Sequence, residues 1–183
     1  MISTGINILG ISGSLRPAST ATALLHIISE QVPGDVDFKL YNGLEKIPAF
    51  DDSRVLPVPV VDFIRQIKAA DAVLFCIPEY AFGVPGALKN ALDWTVSSTA
   101  FSEKPVALIT AASNGEKAHA AMALTLGALG SRISEETKLL VSFIKTKLDA
   151  GGRVTDQNLL FSIQRVIHAL LQTVETGIGV NHN

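Results

Sequence analysis

Two segments concentrate the side chains able to do chemistry. The first, Gly10-Ile11-Ser12-Gly13-Ser14-Leu15-Arg16-Pro17-Ala18-Ser19-Thr20, combines glycines, hydroxyls and one guanidinium ahead of a helical pattern. Backbone N–H groups at that helix start, the hydroxyls of Ser14, Ser19 and Thr20, and the fork of Arg16 would together enclose a phosphate dianion. Gly10-x-x-Gly13 is not the G-x-G-x-x-G spacing, and Gly-Lys-Ser or Gly-Lys-Thr does not occur. One phosphate therefore suits the loop better than a pyrophosphate or a nucleoside triphosphate. Taken alone, the same residues also suit a solvated turn in which Ser19 or Thr20 caps the helix.

The second segment runs Pro78-Glu79-Tyr80-Ala81-Phe82-Gly83-Val84-Pro85-Gly86-Ala87-Leu88-Lys89-Asn90-Ala91-Leu92-Asp93-Trp94. Its prolines and glycines make a stiff loop with exposed backbone amides and carbonyls, and Tyr80 and Phe82 offer flat apolar surfaces. A planar heteroaromatic ring with hydrogen-bonding edges fits such a surface. On their own, Leu88 and Trp94 read as core, and Lys89 with Asp93 as a helical ion pair. His26, His119, His168 and His182 share no metal-ligand spacing with one another or with Cys76, so no metal is expected. Cys76 lies in an apolar run and reads as a small buried hydrophobe, and no Gly-x-Ser-x-Gly elbow supports serine hydrolysis.

Something must hold these loops in place. Apolar runs at Ile6 to Ile11, Ala72 to Ile77, Val106 to Thr110 and Leu139 to Ile144 read as buried strands, with a shorter one at Asp37 to Tyr41. Helical spacing fills the intervals: Ala21, Leu24, Leu25, Ile28 and Val32; Val61, Ile64 and Ile67 within Val60 to Ala70; Leu88, Ala91, Leu92 and Thr95 within Ala87 to Ser97. Two more helices are expected at Lys117 to Leu129 and at Asp156 to Val174, the last capped by Asp156 or Thr155. Leu44 to Pro59, with three of the eight prolines, reads as a long surface loop, and Gly177 to Asn183 as a frayed tail. Strands alternating with helices imply right-handed crossovers and a parallel sheet covered on both faces. The expectation is an α/β flavodoxin-like three-layer sandwich, five parallel strands in the order 2-1-3-4-5, with ligand bound outside the strand carboxyl ends.

Bulk properties narrow the function classes. The chain has 183 residues, 48% of them apolar and 17% charged, enough for one sizeable core in one domain. Fifteen basic against 17 acidic residues give a net of −2, which leaves no basic footprint for nucleic acid. No apolar run reaches the length of about 18 to 20 residues that a membrane span requires. The single cysteine and the absence of a basic-then-apolar opening point to a reducing cytoplasm.

Gly13-Ser14-Leu15-Arg16-x-x-Ser19, Pro78-Glu79-Tyr80, and Pro85-Gly86-x-Leu88-Lys89-Asn90-Ala91-x-Asp93-Trp94 resemble the NAD(P)H-dependent FMN reductases, a flavodoxin-like family that includes quinone, azo-dye and chromate reductases. The likeness extends in order and spacing along nearly the whole chain, down to Gly152-Arg153-Val154-Thr155-Asp156. It implies that Ser14, Arg16 and Ser19, with the amides of Thr20 and Ala21, hold the FMN phosphate. It further implies that the backbone of Pro78, Glu79, Tyr80, Ala81 and Phe82 lines the isoalloxazine, with Ser113, Asn114 and Gly115 of a third loop beside the ring. The chain departs from the family pattern at Ala21, where asparagine is usual, at Ala81-Phe82-Gly83, and in a third loop poorer in glycine.

The resemblance implies an enzyme that passes hydride from NADPH or NADH to FMN and then electrons to free flavin, a quinone or a similar small acceptor. It also implies a homodimer or homotetramer. With the cofactor carrying the chemistry, no side chain is required as a catalytic acid or base, and ping-pong kinetics follow. Two other readings remain open from the residues: a flavodoxin-like electron carrier, against which the small net charge counts, and a flavin-free module that lost affinity through Ala21, Ala81 and Gly83.

Overall fold

The computed structural model describes residues 5–180, apart from Asp52, Arg54 and Ala150. Five parallel strands form one sheet: β1 (Asn7–Ser12), β2 (Asp37–Leu40), β3 (Ala72–Ile77), β4 (Val106–Ala111) and β5 (Lys138–Val141). Their order across the sheet is β2-β1-β3-β4-β5, as expected. The helices are α1 (Thr20–Ser29), α2 (Val58–Ala69), α3 (Gly86–Asp93), α4 (Glu116–Ala128) and α5 (Gln157–Val180).

The strand period of two divides the apolar residues between two cores. Leu9, Ile11, Val73, Phe75, Ile77 and Leu108 face α2, α3 and α4, while Ile8, Leu74, Cys76, Ala107 and Ile109 face α1 and α5. Burial on both faces explains why β3 and β4 read as unbroken apolar runs. Phe63, Phe75 and Phe101 are among the largest fully buried side chains, and burial of each contributes about 1.5 to 3 kcal/mol before its entropic cost.

Several boundaries and faces differ from the sequence reading. β5 ends at Val141, not Ile144, because Phe143 takes a left-handed conformation (φ 53°) and Ile144 opens a 3-10 turn. α1 stops at Ser29, short of Val32, because Pro33 disfavours helix in the residue before it. α2 buries Val60, Phe63, Ile64 and Ile67, so Val61 is half exposed and not on the core face. α3 ends at Asp93, and Trp94 to Glu103 form successive turns with Thr99 and Glu103 left-handed. Leu44 to Pro59 is not loop throughout: Leu44–Lys46 form a 3-10 turn, Leu44 and Ile47 are buried, and α2 already begins at Val58.

α5 starts where expected, with Asp156 Oδ1 accepting from the N–H groups of Asn158 (2.9 Å) and Leu159 (3.2 Å). It continues to Val180, so Gly177 is helical and not frayed, while residues 181–183 of the expected tail lie outside the described residues. No helix among the described residues is long and apolar enough to cross a membrane.

Candidate functional site

The strand order reverses between β1 and β3, and the loops leaving their carboxyl ends are where an open parallel sheet collects ligands. Gly13 follows β1 and donates its N–H to Cys76 O at 2.9 Å, pressing the loop onto β3. A Cβ there would sit 2.9 Å from Ile77 Cγ2, so only glycine permits the approach. The loop then turns on its own hydroxyls: Ser12 Oγ accepts from Ser14 N (3.2 Å), and Ser14 Oγ from Arg16 N (3.2 Å). Ser19 is the N-cap of α1 and its hydroxyl accepts from Thr22 N at 3.4 Å. Ala23 N bonds Ser19 O, leaving the N–H groups of Thr20 and Ala21 without intrahelical carbonyls to meet.

Arg16 is exposed and forms none of the ion pairs among the described residues. A cavity of about 370 Å³ opens beside Ser14, Arg16, Thr22 and His26, with Tyr41 and Asn42 across from them. Burial, aided by the charges of Asp62 and Glu45, pushes the Tyr41 phenol up to about 12, so it remains a proton donor at neutral pH. Free amides at a helix start, two serine hydroxyls and a guanidinium with no ion pair among the described residues are donors of the kind a phosphate monoester takes. Of this donor set, Ser14 and Arg16 line the cavity, whereas Ser19, Thr20 and Ala21 do not.

The Pro78–Phe82 segment meets this loop directly. Ser14 Oγ and Tyr80 Oη lie 2.9 Å apart and share a hydrogen bond. Tyr80 and Gly83 exchange both backbone bonds (3.1 and 2.9 Å) around Ala81 (φ 48°) and Phe82 (φ 59°). Positive φ at both central residues defines a type I′ turn, normally the province of asparagine and glycine. Phe82 consequently stands 76% exposed beyond the turn.

The third loop is joined to the second by a side chain whose part the sequence did not disclose. Glu79 Oε1 accepts from Gly115 N (3.2 Å) and Oε2 from Ala118 N (2.9 Å). Ser113 and Asn114 are exposed between β4 and α4, and Gly115, left-handed at φ 94°, is the N-cap of α4. A fourth loop, also missed, braces the third: Phe143 N bonds Ser113 O (3.1 Å), and Ser142 Oγ donates to Asn114 O (2.8 Å). The premature end of β5 supplies that brace.

The conspicuous Asn90 of α3 and Trp94 at its C-cap also have a task the spacing alone did not reveal. Asn90 Oδ1 accepts from Phe50 N (2.7 Å), its amide donates to Pro48 O (2.8 Å), and Trp94 Nε1 donates to the same carbonyl (3.0 Å). Phe50 packs edge-on against Trp94, ring centroids 5.1 Å apart. Two polar side chains four residues apart, the partly buried Asn90 and the buried Trp94, are the signal that would have pointed to a docked segment. Lys89 and Asp93 form the expected helical ion pair.

Cys76 is fully buried and burial pushes its thiol up, so it presents no thiolate. His26 and His168 are exposed on their helices as expected. His119 Nδ1 lies 2.8 Å from the hydroxyl of buried Thr110, and burial with the nearby Lys138 charge holds its pKa below the ordinary histidine value.

Comparison with known proteins gives the family and the fold. An NAD(P)H-dependent FMN reductase of Pseudomonas aeruginosa is 33% identical over 177 residues, covering 92% of this chain and 95% of that one. A quinone reductase of Escherichia coli K12 is 26% identical over 169 residues, covering 87% and 90%. The solved structure of FerB, a flavoenzyme NAD(P)H:(acceptor) oxidoreductase from Paracoccus denitrificans, superposes with a TM-score of 0.82 at 25% identity, covering 93% and 98% of the two chains. The model of the NADPH-dependent FMN reductase family matches residues 6–144, a span that takes in every loop described above, and the chain belongs to that family.

Proposed function

We propose that the chain is an FMN-dependent oxidoreductase that takes hydride from NAD(P)H and passes electrons to a quinone-like acceptor. The observation that carries this reading is the junction of three loops: Ser14 to Tyr80 and Glu79 to Gly115 bring all the expected cofactor-binding segments to one edge of the sheet. When bound, FMN would supply the two-electron redox chemistry between NAD(P)H and the acceptor.

The protein's share is binding and exposure. Arg16, the hydroxyls of Ser14 and Ser19 and the amides of Thr20 and Ala21 hold the phosphate. The backbone of Pro78 to Phe82 lines the ring, with Ser113, Asn114 and Gly115 at its side. No side-chain acid or base is needed for the hydride transfer. Self-association into a homodimer or homotetramer belongs to the same proposal, supported by Val96 and Leu124, 68% and 76% exposed near the cavity between α3 and α4. The lone cysteine supports a cytoplasmic site of action.

The test is a stepwise spectrum. FMN added to the purified chain should bind in the micromolar range or tighter, NADPH should bleach the bound flavin without oxygen, and a benzoquinone should restore the colour. A flavin that binds but does not bleach would make the chain an electron carrier. No binding at micromolar flavin ends the proposal.

A further inference from the structure

The first turn of α4 lacks a cap of its own. Its N-cap, Gly115, has no side chain, and no local side chain accepts from the turn. The acceptor comes instead from 36 and 39 residues earlier, where Glu79 receives Gly115 N on one oxygen and Ala118 N on the other. A carboxylate placed so makes charge-assisted bonds and lies against the positive end of the helix. Glu79 also sits between Pro78 and Tyr80, so the same residue fixes the position of the second loop relative to the third. Shortening or neutralising it would free one loop from the other while leaving both strands intact.

Resting on the reading that FMN lies between these loops, we propose that Glu79 is a positioning residue with two effects. Its two bonds hold Ser113–Gly115 in register with Pro78–Phe82, and its charge offsets the amino end of α4 beside the ring. An uncompensated helix start would favour the more negative, reduced flavin; the carboxylate removes that bias and keeps the potential low.

The experiment compares the full chain with Glu79→Gln and Glu79→Asp. Its first readout needs no cofactor: amide hydrogen exchange in the apoprotein. Exchange at Gly115 and Ala118 should be about five- to thirtyfold faster in Glu79→Gln, the ratio implied by losing a cap worth about 1 to 2 kcal/mol. The second is the midpoint potential at saturating FMN. In Glu79→Gln, reduced flavin should gain about three- to tenfold in affinity relative to oxidised, a positive shift of up to about 30 mV for a two-electron couple. Glu79→Asp, which keeps the charge on a shorter stem, should show faster exchange but a potential near wild type.

Unchanged exchange in Glu79→Gln would overturn the tie between the loops. Faster exchange with an unchanged potential would leave a plain helix cap and overturn the electrostatic role. Faster exchange in the variant while the wild type binds no FMN would overturn the flavin reading and, with it, any effect on potential.

Discussion

Ser14 and Tyr80, 66 residues apart in sequence, share a 2.9 Å hydrogen bond between their hydroxyls. That bond closes the end of the sheet where β1 and β3 part. Ser14→Ala and Tyr80→Phe should each lower stability by about 0.5 to 1.5 kcal/mol, and the double variant by less than the sum. Urea unfolding of the four proteins measures it; strict additivity would mean that the pair contributes nothing.

Arg16 is exposed and forms none of the ion pairs among the described residues, so the fold should not depend on it. Arg16→Ala should leave the unfolding midpoint in place and weaken FMN binding about ten- to hundredfold, the loss of one charge-assisted contact of about 1.5 to 3 kcal/mol. Flavin fluorescence titration reads it. Equal affinity would remove the phosphate from this loop.

The left-handed Ala81 is a correctable cost. Asparagine tolerates this conformation far better than alanine, whose penalty there is about 1 kcal/mol, so Ala81→Asn should stabilise the apoprotein by about 0.5 to 1 kcal/mol. Differential scanning calorimetry would register a higher Tm. A lower one would mean that the turn is not of the I′ type.

Asn90 pins Pro48 and Phe50 to α3 through two bonds. Asn90→Ala should cost about 1 to 3 kcal/mol, since it leaves Phe50 N and part of Pro48 O unmatched. Chemical denaturation checks the size, and limited proteolysis checks the place: new cleavage should fall within residues 48–57.

His119 predicts a pH dependence whose sign is fixed by its surroundings. Burial and Lys138 lower its pKa in the folded chain, so the unfolded chain binds more protons as the pH falls. Its stabilising contribution is complete above the ordinary value of 6.5 and is lost as pH drops from there through the folded value. Stability should therefore rise between about pH 5.5 and about pH 7.5, and His119→Gln should flatten that rise. Urea midpoints at the two pH values decide; an equal rise in both proteins would assign the effect elsewhere.

Sheet order, both cores and the two principal loops were legible because apolar periodicity and glycine-proline chemistry are local signals. What escaped is non-local. Glu79 reads as one acid in a loop until Gly115, 36 residues on, turns out to start a helix that cannot cap itself. Phe143 reads as strand because aromatic residues favour strands, yet its backbone is bent away to reach Ser113. Val61 misled because a valine at helical spacing marks a face only when its neighbours agree, and Phe63 and Val60 outweighed it.

Trp94 is the chain's one tryptophan, and its indole is fastened to Pro48 with Phe50 against its edge. That makes the molecule its own optical gauge. Release of the docked segment would wet the ring and move its emission to longer wavelength, with no other indole to blur the signal. Energy transfer from the same ring to a yellow ligand nearby would let occupancy be followed without any attached label.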